Sequence, residues 1–238
     1  MHDKYKLVFI IGPGRSGTTL LSNLFQNHPN ILSLPEATFF WGLNSYFGEK
    51  NIKECVDEFI SFLWIRMDEY KPLWAIDNEK LKKDILSHEG VVSFSDALLY
   101  CCLNSKRIEN KGEIKIIVNK HPLLSWQLPL MLKLYPNAKF ICLTRDYRDR
   151  YLSVKKSFKF SFFSHLSIGY SWLMNDIEID KVQAKYPQNF LSVKYEDFIT
   201  DYQFLKRQMQ KLKLKKKVIG QKQLIFLIRC MKILIKKL

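Results

Sequence analysis

The chain has 238 residues, 47% hydrophobic and 26% charged, enough apolar material for one packed domain and too much for global disorder. The net charge of +15 is unevenly placed: from Lys206 onward stand ten lysines, two arginines and no carboxylate, so residues 1–205 are nearly balanced and do not read as a nucleic-acid binder. Five irregularly spaced cysteines and five histidines without an H-x-x-x-H pair argue against a disulfide framework and a metal site, and no apolar run nears the roughly 20 residues of a spanning helix, so a cytoplasmic chain is expected.

The β-branched run Leu7 to Ile11 reads as a buried strand that stops at Gly12. Apolar residues at helical spacing then run from Thr18 to Asn27, where Pro29 ends the pattern. A second strand is expected over Ile31 to Leu34, followed by the aromatic stretch Phe39 to Trp41 and a mostly helical region, 50–110, without a recognisable motif. Ile114 to Val118 reads as a third strand, Leu123 to Leu134 as a helix despite Pro129, and Lys139 to Thr144 as a fourth strand with a helix from about Tyr147. A long helix over 162–184, a fifth strand over Phe190 to Val193 and a helix from about Asp197 complete the order. Strands alternating with helices imply an α/β fold, a central mostly parallel sheet flanked by helices, with ligands beyond the carboxyl ends of its strands.

The loop after the first strand, Gly12 to Thr19, has strand, glycine-rich turn and helix in the order of a phosphate-binding loop, with Gly12 and Gly17 at the right spacing. Backbone N–H groups of Gly14, Arg15, Ser16 and Gly17, with the hydroxyls of Thr18 and Thr19, form a nest for an anion at a helix N-terminus. Nucleoside triphosphatases carry a lysine after the second glycine; Thr18 stands there instead, and the cation has moved into the loop as Arg15. That swap suits a single 5′-linked phosphate group rather than a triphosphate. The bland alternative is a tight turn capped by Thr18.

A second cluster follows the fourth strand. Arg145 offers a planar fork for phosphate, and Ser153, eight residues on, adds a hydroxyl. The competing reading is a salt-bridged surface made of Arg145, Asp146, Arg148, Asp149 and Arg150.

Together the two loops resemble the sulfotransferases that use 3′-phosphoadenosine 5′-phosphosulfate (PAPS), most of all the tyrosylprotein and carbohydrate branches. The resemblance rests on Arg15 to Leu20 (R-S-G-T-T-L), His28-Pro29, Glu36, Asn119 to Pro122, Pro136 to Phe140, and Arg145 with Ser153, in that order, across about residues 7 to 203. It implies a P-loop NTPase-like three-layer fold, with PAPS as sulfuryl donor and no metal. The glycine loop would hold the 5′-phosphosulfate, Arg145 and Ser153 the 3′-phosphate, and Tyr195 would lie near the adenosine. Glu36 is then the candidate base, with Arg15 and Lys120 as cations for the charge that builds during transfer. His121 is a rival base. The implied acceptor is a hydroxyl, with a carbohydrate the first expectation, and nucleic acid is not an expected partner.

Three departures stand against the pattern. Thr38 replaces an arginine of the tyrosylprotein branch, Ser157 replaces a basic residue after the 3′-phosphate serine, and the later loop that closes the 3′-phosphate site has no counterpart. In its place stands a basic amphipathic tail, 206–238, following the sulfotransferase-like domain 1–205 with its helical acceptor-side insertion, about 38–110. The tail is expected to dock on the core, to lie at an anionic membrane surface as a peripheral contact, or to be what remains after loss of the native C-terminus. Two other functions stay open from sequence: a catalytically impaired PAP-binding or membrane-associated remnant, and a P-loop kinase or NTPase.

Overall fold

The computed structural model describes residues 4–37, 39–65, 70–109, 111–157 and 162–200. Thr38 and the tail 206–238 lie outside them. Five strands, β1 (Lys6–Ile11), β2 (Ile31–Leu34), β3 (Ile116–Lys120), β4 (Lys139–Thr144) and β5 (Phe190–Lys194), form one sheet in the order β2-β3-β1-β4-β5. Every pairing is parallel.

A parallel sheet buried on both faces calls for largely apolar strands, and β1 and β4 supply them at its centre, while Ser33 in β2, Asn119 and Lys120 in β3 and Ser192 in β5 interrupt the pattern. In β1 the pleat sends Leu7, Phe9 and Ile11 to one core and Val8 and Ile10 to the other. In β4, Phe140 and Cys142 join the first core and Ile141 and Leu143 the second. Helix α1 (Thr18–Gln26) covers the second face with Leu21, Leu24 and Phe25, spaced to fall on one helical side. Two serines fix α1 to β2: the Ser22 and Ser33 hydroxyls lie 3.0 Å apart, and Ser33 Oγ also donates to the Ser22 carbonyl at 2.9 Å.

Between β2 and β3 the chain forms α2 (Phe39–Gly42), α3 (Asn44–Phe47), α4 (Val56–Ile65), α5 (Lys71–Trp74), α6 (Asn78–Leu86) and α7 (Phe94–Leu103), the helical region that the sequence suggests. These pack on the first face together with α8 (Leu128–Leu134) and the long α10 (Phe162–Lys185), which contributes Ile179 and Val182. Helix α9 (Tyr147–Ser157) follows β4, and α11 (Tyr195–Thr200) places Phe198 in the second core.

Two expected elements shift. The third strand runs two residues later than Ile114 to Val118, because Asn119 donates to the Pro35 carbonyl and Lys120 pairs with Glu36, so both polar side chains are satisfied and stay in the ladder. The helix expected over Leu123 to Leu134 divides into a 3-10 turn, Pro122–Gln127, and α8, with Pro129 in the first turn of α8, where a missing N–H costs nothing.

The strand order sets the location of the site. The chain leaves β1 toward the β2 edge, returns to β3, and then crosses β1 to reach β4. The carboxyl ends of β1 and β4 therefore stand side by side with their following helices diverging, which opens a crevice between the two loops.

Candidate functional site

The turn from β1 into α1 has a backbone that only certain residues can follow. Gly12 has φ 133°, and a Cβ there would stand 2.2 Å from the Leu143 carbonyl oxygen, so the loop presses directly on β4. Gly17, φ 88°, is the N-cap of α1, and a Cβ there would meet the Tyr195 ring at 2.4 Å. The cap is thus Gly17, not Thr18, and no side-chain hydrogen bond closes it. Between the glycines, Arg15 adopts φ 70°, a left-handed conformation that costs a non-glycine residue about 1–2 kcal/mol. Ser16 is fully buried and its Oγ has no hydrogen-bond partner among the described residues. Nor does any described acceptor take the backbone N–H of Arg15, Ser16 or Gly17. Thr18 is buried at the start of α1, and Thr19 and the Arg15 side chain are exposed.

The turn after β4 closes on this loop. Arg145 Nη1 donates to the Arg15 carbonyl at 3.3 Å, and its guanidinium lies 4.4 Å from the centre of the Tyr195 ring, while its Nε is buried without a partner among the described residues. Arg15 Nε in turn donates to Ser153 Oγ at 3.2 Å. The two clusters that the sequence separates by about 130 residues are therefore one site, and Tyr195 packs between Gly17 and Arg145. The salt-bridged-surface reading holds, among the described residues, for Asp146 and Arg148, joined at 2.7 Å on the surface, where the Arg148 guanidinium holds the Asp146 carboxyl down to about 2. The Asp146 N–H donates to Glu196 Oε1 at 3.1 Å, which ties the start of the turn to α11.

Arg150 was missed as a site residue. It is 8% exposed, and its Nε donates to the Gly14 carbonyl at 2.7 Å. The signal was its spacing: Arg150 and Ser153 stand three apart on α9, hence on one face.

Glu36, Lys120 and His121 gather at the carboxyl ends of β2 and β3. Lys120 lies in register with Ile10 of β1 and forms an ion pair with Glu36; the side chains are 11% and 25% exposed, so the carboxylate is the more open partner. Tyr70 donates from its hydroxyl to Glu36 Oε2 at 3.3 Å, and Trp74 Nε1 donates to the Glu36 carbonyl at 3.0 Å. Asn119 Nδ2 donates to the Pro35 carbonyl at 2.8 Å, which fixes the segment leading into Glu36. Tyr70 and Trp74 come from the helical region, where nothing in the sequence marks them. His121 is 3% exposed, its N–H donates to the Ile10 carbonyl at 3.1 Å, and burial pushes its imidazole below 6.5; nearby Glu36 opposes that shift and Lys120 adds to it. Among the described residues, no group of three His, Cys, Asp or Glu side chains stands close enough to hold a metal ion.

The sequence matches the family model described as the sulfotransferase family over residues 8–212. No curated protein matches the chain. Among solved structures, a sulfotransferase from Mycobacterium avium is similar with a TM-score of 0.57 at 13% identity, covering 96% of this chain and 68% of that one. A sulfotransferase from Mycobacterium tuberculosis H37Rv gives 0.52 at 16% identity, covering 94% and 71%, and one from Alicyclobacillus acidocaldarius gives 0.50 at 15%, covering 87% and 81%. At such identities the likeness to these structures is one of fold.

Proposed function

The chain belongs to the sulfotransferase family, PAPS-dependent enzymes, and we propose that it transfers a sulfuryl group from PAPS to a carbohydrate hydroxyl through the residues gathered at the ends of β1, β2, β3 and β4. One observation carries the cofactor reading: Arg145 and Ser153, from the turn and helix after β4, both bond to Arg15 of the glycine loop. One crevice thus offers two sets of anion donors, as a nucleotide with phosphate groups at both ends of its ribose requires. The residues present fit such a ligand. Ser16 Oγ, Arg145 Nε and the N–H groups of Arg15, Ser16 and Gly17 are polar atoms without partners among the described residues, and no described atom lies within 4 Å of a Cβ placed at Gly14.

In this reading the glycine loop, Gly14 to Thr19, holds the 5′-phosphosulfate, Arg145 and Ser153 hold the 3′-phosphate, and Tyr195 lies against the adenosine. Bound PAPS supplies a sulfuryl group activated by its phosphate leaving group. Glu36 takes the acceptor hydroxyl proton as the new O–S bond forms and the S–O bond to the phosphate breaks, leaving PAP and a sulfate ester. Lys120 orients the Glu36 carboxylate and, with Arg15, offsets negative charge on the bridging and equatorial oxygens. Glu36 is favoured over His121 because its carboxylate is the more exposed group and two side chains orient it. The carbohydrate acceptor is supported by the resemblance to that branch and by Thr38 standing where the peptide-sulfating branch has arginine.

The test is transfer of labelled sulfate from PAPS to a panel of saccharides and a tyrosine peptide. Label on saccharide, lost in Arg15→Ala, supports the proposal; label on the peptide alone, or activity unchanged in Arg15→Ala, contradicts it.

A further inference from the structure

A buried arginine is costly unless its charge is paired and hydrogen-bonded. Arg150 is 8% exposed, yet it sits in a helix whose other arginine, Arg148, is at the surface. Its Nε donates to the Gly14 carbonyl at 2.7 Å, a charge-assisted bond across 136 residues of chain; burial lowers its pKa, and the Asp176 carboxylate of α10 offsets part of that cost.

The peptide group is planar and trans, so holding a carbonyl also aims the N–H that follows it. With the Gly14 oxygen directed at Arg150, the Arg15 N–H points away from Arg150. One residue on, Arg145 holds the Arg15 oxygen at 3.3 Å, which aims the Ser16 N–H away from Arg145 in the same manner. The residue between these two held carbonyls is Arg15, in the left-handed conformation at φ 70°. Such a conformation persists only where its surroundings impose it. The two N–H groups so aimed are among those that no described acceptor takes.

We propose that Arg150 is a positioning residue for the anion-binding loop: by holding the Gly14 carbonyl it fixes the Gly14–Arg15 peptide, so that the Arg15 N–H faces the donor's phosphosulfate. The inference rests on the reading of the loop as the donor site. Arg150 touches no substrate atom in this account. Its role differs from that of a nearby cation, because a cation would attract the ligand through charge and leave the loop as it is. Without the bond, the peptide is free to turn its carbonyl toward the anion, which would repel the ligand.

The experiment compares the full chain with Arg150→Met and Arg150→Lys in three readouts: thermal unfolding, hydrogen exchange of the amides of residues 12–17, and PAP affinity by calorimetry at several salt concentrations. The expected result is a folded Arg150→Met with loop amides exchanging faster than in the unaltered chain. It should bind PAP about tenfold more weakly, as loss of a charge-assisted hydrogen bond predicts, with an unchanged salt slope. Arg150→Lys, which keeps a charged donor, should recover part of both effects and decides the matter if the Met variant does not fold. An Arg150→Met protein that exchanges its loop amides at the unaltered rate overturns the proposal, whatever its affinity. So does a loss of affinity that comes with a flatter salt slope, which would make Arg150 a charge acting on the ligand. If the unaltered chain fails to bind PAP, the donor assignment fails, while the exchange comparison still decides whether Arg150 orders the loop.

Discussion

Arg15 and Ser153 stand 138 residues apart in sequence and are joined by a 3.2 Å hydrogen bond from the Arg15 guanidinium to the serine hydroxyl. The bond links the phosphate-type loop after β1 to the second turn of α9. Because the serine serves the 3′ end of the donor in the proposed reading, Ser153→Ala should weaken PAP binding roughly tenfold. Binding of adenosine 5′-phosphosulfate, which lacks the 3′-phosphate, should change little. Competition binding of the two nucleotides checks this; equal losses for both would place Ser153 elsewhere.

Glu36 and His121 compete for the role of base, and their variants should separate. Glu36→Gln keeps an acceptor for Lys120 and for the Tyr70 hydroxyl, so the fold and the PAP affinity should persist while kcat falls by about 10²–10⁴. His121→Asn should leave kcat within a few-fold. Steady-state kinetics with saturating PAPS distinguish them, and the reverse pattern would transfer the role to His121.

Gly12 and Gly14 are two residues apart but respond to a methyl group differently. At Gly12 the added carbon would strike the Leu143 carbonyl at 2.2 Å in a backbone reserved for glycine, and Gly12→Ala should destabilise the chain by roughly 2–4 kcal/mol. At Gly14 nothing lies within 4 Å of such a carbon, so Gly14→Ala should unfold within about 0.5 kcal/mol of the unaltered chain. Denaturant titration of both variants measures the contrast.

His28 and His121 are 5% and 3% exposed, and burial pulls both imidazoles below 6.5, assisted at His28 by Lys111. The unfolded chain therefore binds protons that the folded chain refuses as pH drops below about 6.5, so folding stability is full above that value and declines through the depressed folded values. Thermal unfolding should show a plateau near pH 7–8 and a falling midpoint on acidification, shallower in His121→Gln. A midpoint independent of pH from 7 to 5 would contradict the assignment.

The apolar runs of β1 and β4 were legible because strands buried on both faces leave a nearly continuous apolar signature, β2 because only Ser33 breaks its run, and α1 because its apolar spacing is regular. The end of β3 was not, since Asn119 and Lys120 look like a strand's polar exit until Pro35 and Glu36 arrive from β2 to satisfy them. The glycine loop and the Arg145 turn were each readable as anion sites, and their meeting was implied by the family resemblance alone, because it depends on strand order, which no local pattern encodes. Arg150 was hidden within a run of charges that reads as solvated surface; its spacing from Ser153 was the one sign in the sequence, and burial is what sets it apart from Arg148 in the structure. Tyr70 and Trp74 reach Glu36 through tertiary packing of helices whose composition carries no chemical mark.

The central claim is that the two turns hold one nucleotide at both of its phosphate ends. Isothermal titration of the full chain with PAP, beside ATP with magnesium, tests it most directly. The account predicts saturable PAP binding that weakens sharply in Arg145→Ala, with ATP far weaker. ATP binding as tight as PAP, or PAP affinity indifferent to Arg145, would contradict it.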